Sequence, residues 1–283
     1  MKVKIVDIDK IFDDFLTHYI QSNRGKYTEK EWERKIPGLY DEFGRTELEE
    51  LDGKCPNDYY KSLSGSELCD VLSEHIEQGV SVSDFLCEAL IAAECVDELV
   101  RFIDNGHDEE LVSYCINILN DKNSTAGFDR YFDMLLSDDT CEDMKDLIAE
   151  MLANNPEAAK ERALKEYPGA GSSAVYLLDV FSSCKKDDRI FDILINELKS
   201  HKKDIPFYLS YVTKYGDERA LPVLLKRIEN REIGFNEFRE LKYAVEALGG
   251  EYNEPRSFEH DEDFLKVEDQ SQKEGFSEIG DLS

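Results

Sequence analysis

The stretch YGDERALPVLLKRIEN, residues 215–230, contains a helix start that also marks a repeat boundary. Gly216 is a natural end for the preceding helix, and Asp217 is a natural N-cap for the next one. Apolar residues then follow at i, i+3, i+4 and i+7, namely Leu221, Leu224, Leu225 and Ile228. Pro222 lies inside this stripe, where its missing N–H would leave the Glu218 carbonyl without a partner. We therefore predict a loose or 3₁₀-like first turn, with regular helix from about Leu221 onward.

Two interleaved series of apolar positions repeat with a period of about 32 residues. One series contains Cys115, Ile148, Phe181, Val212 and Val245, with spacings of 33, 33, 31 and 33. The other contains Val100, Phe132, Ala163, Leu194 and Leu225, with spacings of 32, 31, 31 and 31. The apolar residues around these positions recur with helical periodicity, and no segment of comparable length alternates between apolar and polar residues. This predicts an all-α protein. Because helix pairs bury their apolar faces only by stacking, the repeat predicts an α-solenoid.

Residues 216–250 contain the most specific version of this repeat. Gly216 and Asp217 precede the run Ala-Leu-Pro-Val-Leu-Leu at 220–225, and a later helix ends in Ala-Val-Glu-Ala-Leu-Gly at 244–249. This pattern resembles a short HEAT repeat of the bilin-lyase type, and the match in period extends over 93–250. The resemblance implies a right-handed α–α superhelix whose concave face is lined by the second helix of each pair.

The period also suggests how the chain is divided. Residues 1–92 have helical patterns without the repeat, including helices predicted at 28–35 and 37–51, and we interpret them as an irregular helical N-terminal cap. Residues 93–250 form the HEAT-like repeats.

After Gly250 the periodicity stops. Residues 251–283 are polar and acidic with scattered aromatic residues, a composition typical of a flexible tail. As an alternative, the tail folds back onto the last helix through Phe258, Phe264 and Leu265.

The net charge of −29 restricts the classes of partner. A surface this acidic repels phosphate backbones, which argues against nucleic acid as a ligand. Residues 185–242 differ from the rest, because their 13 Lys and Arg against 11 Asp and Glu give a net charge of +2. The acidity either maintains solubility or matches a basic protein partner.

The sequence also indicates the cellular compartment. No apolar run approaches the roughly 18–20 residues that a membrane-spanning helix needs. The N-terminus meets acidic residues within the first seven positions and has no small-residue cleavage site. The seven cysteines are an odd number without a C-x-x-C pair, which indicates buried reduced thiols. We therefore expect a cytoplasmic protein without a membrane segment.

Few residues form a pattern that indicates chemistry. None of the five histidines has a second His or Cys at metal-ligand spacing, and His75 lies on an apolar helix face. Residues 121–127 begin like a calcium loop, but Ala126 and Phe132 stand where Gly and Glu are needed, so we interpret them as an inter-helix loop.

Acidic clusters occur at 108–110, 138–143 and 259–263. The first two fall where helices begin, a position that the helix dipole favours for negative charge. We expect no catalytic residue, no metal site and no cofactor.

These observations favour a non-enzymatic scaffold that binds a protein partner along the concave face. The exposed basic residues expected to contact it are Arg101, Arg130, Arg189, Lys226 and Arg227. A more specific version is an acidic immunity or inhibitor protein that masks a basic toxin such as a nuclease. The competing class is a HEAT-like enzyme of the lyase or DNA glycosylase type, which requires a deep pocket with convergent polar groups. The identity of the partner and the oligomeric state stay open.

Overall fold

A computed structural model describes residues 4–106 and 108–267, and its regular secondary structure is helical. No β-strand occurs among these residues, although Leu48 and Lys54 form an isolated β-bridge. The predicted all-α class is therefore confirmed. In this described part of the chain, no helix combines the length and apolar character needed to cross a membrane.

The chain forms two compact units, residues 1–151 and 152–283. The first contains α1 (Ile8–Ser22), α2 (Glu29–Phe43), α3 (Pro56–Tyr59), α4 (Gly65–Gln78), α5 (Asp84–Ala92), α6 (Val96–Asp104), α7 (Glu109–Asp121), α8 (Phe128–Leu136) and most of α9 (Glu142–Asn154). The second contains α10 (Pro156–Glu166), α11 (Ala174–Ser183), α12 (Asp188–Ser200), α13 (Ile205–Tyr215), α14 (Leu221–Ile228) and α15 (Phe235–Ala247).

Helix α2 corrects one prediction for the N-terminal segment. A single helix continues through Pro37, where a break between two helices is predicted, and it ends at Phe43 instead of continuing to residue 51. Proline there removes one backbone hydrogen bond. Aromatic contacts with α1 hold both halves, since Trp32 lies edge-on to Tyr19 at 6.2 Å and Phe43 lies 5.2 Å from Phe12. The helix therefore continues through the proline because packing stabilises it on both sides.

The stretch 215–230 folds as its residues predict. Gly216 ends α13 in the left-handed conformation, with φ of 70°. A 3₁₀ turn at Glu218–Ala220 precedes regular helix, which begins at Leu221. Pro222 is consequently the second residue of α14, where a missing N–H leaves no helical hydrogen bond unmade.

The second unit contains two kinds of helix. Helices α11, α13 and α15 pack side by side, and we call them the second-helix layer. Helices α10, α12 and α14, the first helices, each pack on the helix that follows. Five of the predicted repeat positions are buried in this unit: Ala163, Phe181, Leu194, Val212 and Val245. The predicted helix pairs are therefore present here, with their apolar positions in the core.

Two Asp-x-Arg pairs connect the first helices to one another. Asp187 accepts the backbone N–H of Arg189 at 3.0 Å, and the Arg189 guanidinium binds both Asp187 at 2.7 Å and Glu161 of α10 at 2.8 Å. The hydrogen bonds from Arg189 lower the pKa of Asp187 to about 2. Asp217 and Arg219 repeat the arrangement, with Arg219 reaching a carboxylate of α12 at 2.6 Å. These arginines join α12 to α10 and α14 to α12.

The described part of the C-terminal segment, residues 251–267, folds back onto α15. Phe258 lies 5.4 Å from Phe235 and 5.1 Å from Phe238, measured between ring centroids. Phe264 contacts Phe235 at 5.1 Å. These four rings form one aromatic cluster on the last helix of the layer.

A carboxylate in the same segment caps α15. Asp261 accepts the backbone N–H of Phe235, the first residue of α15, at 3.0 Å, at a helix end where the N-cap residue Gly234 has no side chain. This hydrogen bond is the main cause of the lowered pKa of Asp261. Leu265, by contrast, is 46% exposed. Residues 268–283 and His107 lie outside the described residues.

Phe258→Ala is expected to lower the free energy of unfolding by about 1–2 kcal/mol, because the half-buried ring covers part of α15. Urea denaturation of the full chain measures the change. Leu265→Ala is the matched control in the same segment, and its expected change is below about 0.5 kcal/mol. Equal losses in the two variants would contradict a packing role for Phe258.

Candidate functional site

His201 lies in the loop between α12 and α13, and two concavities of the second unit have it in their walls. Its ring stacks on Tyr208, with centroids 4.1 Å apart and planes 17° from parallel. Its Nδ1 lies 2.9 Å from the backbone oxygen of Glu197. Because a carbonyl oxygen can only accept a hydrogen bond, Nδ1 carries a proton in this arrangement. The imidazole is thus held on two sides.

A small pocket of about 290 Å³ lies on one side of His201. Its walls include Tyr167, Glu197 and Tyr208, and the loop containing Gly171, at φ of 56°, also lines it. Tyr167 donates its hydroxyl hydrogen to Glu197 Oε1 at 2.5 Å. Burial, and then the hydrogen bond to Glu197, raise the pKa of Tyr167 above its ordinary value. The phenol therefore stays protonated at neutral pH and continues to donate to the carboxylate.

A wider groove of about 940 Å³ lies on the other side of His201. Lys199, Lys202 and Lys226 line it, and none of the three has an ion-pair partner in the part of the chain that the structure describes. Arg227 also lines the groove, but its Nε donates to Glu237 at 2.7 Å. The groove is thus locally basic in a chain whose net charge is −29.

Exposed aromatic side chains lie on the second-helix layer. Phe207 of α13 is 42% exposed and Tyr243 of α15 is 65% exposed. Phe207 contacts Tyr208 at 5.3 Å, and Tyr208 in turn lines the pocket beside His201. An aromatic surface therefore continues from α13 to the pocket.

The five basic residues predicted as contacts lie on α6, α8, α12 and α14. Helices α6, α12 and α14 each pack on the helix that follows and so are first helices of pairs, whereas the predicted concave face is lined by second helices. Arg101 is exposed and pairs with Glu98 at 3.2 Å, and Lys226 is exposed on the groove. Whether they contact a partner stays a prediction.

The other predicted residues are hydrogen-bonded within the chain or half-buried. Arg189 is held by Asp187 and Glu161, as described above, and Arg227 also donates to the backbone oxygen of Leu198 at 3.0 Å. Arg130 is half-buried, and its Nε is buried without a hydrogen-bond partner among the described residues. Substituting any of these three would therefore change packing or hydrogen bonding within the chain as well as the surface.

Sequence reasoning missed the pocket residues altogether. A signal was available, because Glu197 and His201 are four residues apart on one helix turn, and Tyr167 precedes Glu197 by 30 residues, close to one repeat period. What the sequence did not show is that the irregular segment after α10 turns Tyr167 toward Glu197. Two 3₁₀ turns, Tyr167–Gly169 and Gly171–Ser173, occupy this segment.

Other residues singled out in the sequence have structural roles. The segment resembling a calcium loop connects α7 to α8, as predicted. Asp108 caps α7 by accepting the N–H of Glu110 at 2.9 Å, and Glu142 and Asp143 lie in the first turn of α9. His75 is buried, with Nδ1 2.8 Å from the Val71 oxygen, as expected of a core histidine. Among the described residues, no group of three or more His, Cys, Asp or Glu side chains is arranged to hold a metal ion.

The cysteines are all free thiols. Cys69, Cys95, Cys115 and Cys184 are buried. The neighbouring Cys69 thiol lowers the pKa of the Cys95 thiol, but Cys95 is only 1% exposed. Solvent access therefore limits the reactivity of this thiol.

Comparison of the chain with protein-family models, curated proteins and solved structures finds no match.

Proposed function

We propose that this protein is a non-enzymatic interaction scaffold of the HEAT-like class, a right-handed α–α superhelix that binds another protein on a concave face. The arrangement of the second unit supports it. Three second helices pack side by side, and each first helix packs on its own partner, as in stacked helix pairs. The surface assigned to the partner is the exposed side of the second-helix layer.

The observation that carries the proposal is the exposure of Phe207 and Tyr243 on adjoining helices. By the register of the repeat, which places Val212 opposite Val245, Tyr243 is equivalent to Ser210, one turn along from Phe207. Exposed Lys214 and Arg239 flank them on the same two helices. Aromatic residues and arginine are the types that dominate the energetic centres of protein interfaces.

The test is a pull-down from an extract of the source organism with immobilised full chain, followed by titration of the partner it retains. Phe207→Ala combined with Tyr243→Ala is expected to weaken binding by about 30-fold or more, since tyrosine is a hot-spot type and phenylalanine is enriched at interfaces. Melting temperature should stay unchanged because both side chains are exposed. Lys226→Ala combined with Arg101→Ala tests the two exposed basic contacts predicted on the first helices, and full retention of the partner by this variant would contradict that prediction. If the aromatic variant binds as tightly as the unaltered chain, the second-helix layer is not the interface.

The net charge favours the more specific version, an acidic inhibitor of a basic toxin. Charge complementarity of this kind accelerates association and is screened by salt. The same titration at increasing ionic strength distinguishes the two versions. Affinity that falls steeply with salt supports a basic partner, and affinity independent of salt contradicts it.

The pocket beside His201 is the observation that favours the competing class, an enzyme of the lyase or glycosylase type. Tyr167, Glu197 and His201 converge there. We place this second because about 290 Å³ is at the lower end of small-molecule sites, about 300–1,000 Å³, and because the net charge opposes binding of nucleic acid.

A further inference from the structure

The pocket beside His201 combines a carboxylate with aromatic faces. Oε1 of Glu197 accepts the Tyr167 hydroxyl, and Oε2 lies 3.4 Å from His201 Nδ1. The Nδ1 proton is directed to the nearer backbone oxygen of Glu197 at 2.9 Å. Oε2 therefore has no close hydrogen-bond donor among the described residues, and this carboxylate oxygen can accept one from a ligand.

The rings around Glu197 are fixed in place. Tyr208 stacks on His201, and Tyr167 is held edge-on by Phe181 at 5.4 Å. The faces of aromatic rings carry negative potential and attract cations, most strongly where water is partly excluded. A carboxylate flanked by aromatic rings is thus complementary to an alkylammonium group, whose hydrocarbon stem packs on the rings while its N–H groups reach the oxygen.

Charge around the pocket agrees with a cationic ligand. Glu197 is the one residue lining the pocket with a formal charge at pH 7, with histidine counted as neutral. The lysines Lys199, Lys202 and Lys226 line the groove on the other side of His201. At longer range, the net charge of −29 raises the local concentration of cations and lowers that of anions.

We propose that this pocket binds a lysine side chain presented by the protein partner. The proposal rests on the function given above, because it assigns part of the same interface: Tyr208 lines the pocket and contacts Phe207 of the second-helix layer. The pocket recognises the ammonium group through Glu197 and the stem through Tyr208 and Tyr167. The partner therefore has a lysine beside the apolar residues that pack on Phe207.

The experiment uses the full chain and a small probe, N-acetyl-lysine methylamide, titrated while the side-chain NMR signals of His201 are followed. We expect saturable shifts with a dissociation constant in the millimolar range, because a single small group makes few contacts. Glu197→Gln keeps an acceptor for Tyr167 and removes the charge, so binding should weaken about tenfold or more. Asp192→Asn makes the same change at an exposed position of α12 and should leave binding as it was. The norleucine analogue of the probe, which has no ammonium group, should produce no shift.

Three results would overturn the proposal. The first is the absence of a shift up to about 50 mM probe, well above the millimolar range expected for a single group. The second is equal binding by Glu197→Gln. The third is equal binding of the arginine analogue, which would assign the pocket to cationic side chains in general. Binding of the partner separates this proposal from the proposed function. If the Phe207 and Tyr243 variant loses the partner and Glu197→Gln keeps it at full affinity, the interface stands and the lysine pocket is wrong.

Discussion

Phe181→Ala should lower the free energy of unfolding by about 3–5 kcal/mol, the largest single effect expected in the second unit. Phe181 is fully buried in α11, and its ring supports Tyr167 edge-on at 5.4 Å. Helices α10 and α13 pack on α11 from different sides, so the cavity left by the missing ring is bounded by secondary structure that cannot easily collapse. Urea denaturation followed by circular dichroism measures the loss.

Phe207→Ala is the matched control for this change, because it removes the same ring from the neighbouring helix at a position 42% exposed. It is expected to lower the free energy of unfolding by no more than about 0.5 kcal/mol. Comparable losses at the two positions would mean that the core does not lie where the second helices meet. The two variants also distinguish an effect on stability from an effect on partner binding, since Phe207 belongs to the proposed interface.

Gly65→Ala should destabilise the first unit by roughly 1–3 kcal/mol. A Cβ added at this first residue of α4 would lie 2.3 Å from the backbone oxygen of Glu94 and 3.0 Å from the Cβ of Cys95. The first of these atoms belongs to the main chain before α6, so relieving the contact requires a shift of backbone and not the rotation of a side chain. Thermal unfolding of the variant measures the effect.

Gly38→Ala introduces the same methyl group with the opposite expected sign. Gly38 lies inside α2, and an added Cβ there meets nothing within 4 Å. Glycine in a helix interior costs about 0.5–1 kcal/mol relative to alanine, so this variant should gain up to about 1 kcal/mol. Destabilisation by both variants would show that close approach to Glu94 is not what requires glycine at position 65.

Local features of the fold were predictable because they depend on residues close together in the sequence. The start of α14 follows from Gly216, Asp217 and Pro222, whose backbone preferences act within one or two turns. The helix pairs follow from the spacing of apolar residues along one face. In contrast, the continuity of α2 through Pro37 depends on aromatic contacts with α1, which no local pattern reveals.

The candidate site was not predictable for a related reason. Glu197 and His201 lie together at the end of α12 but Tyr167 lies 30 residues earlier, and their meeting depends on the 3₁₀ turns after α10. The charge pattern directed attention to arginines instead, and Arg189 and Arg227 proved to be hydrogen-bonded within the fold. A basic residue in an acidic chain is as readily matched by a neighbouring helix as by a partner.

The C-terminal segment has a consequence for self-assembly. A layer of similar helices ends with a face that resembles every face already buried inside it, and such a face is an adhesive site for the first layer of another copy. On α15 that face includes Phe235 and Phe238, and the chain covers them with its own Phe258 and Phe264. Residues 251–267 therefore cover these two rings from within the same chain, so that α15 does not present them to another copy.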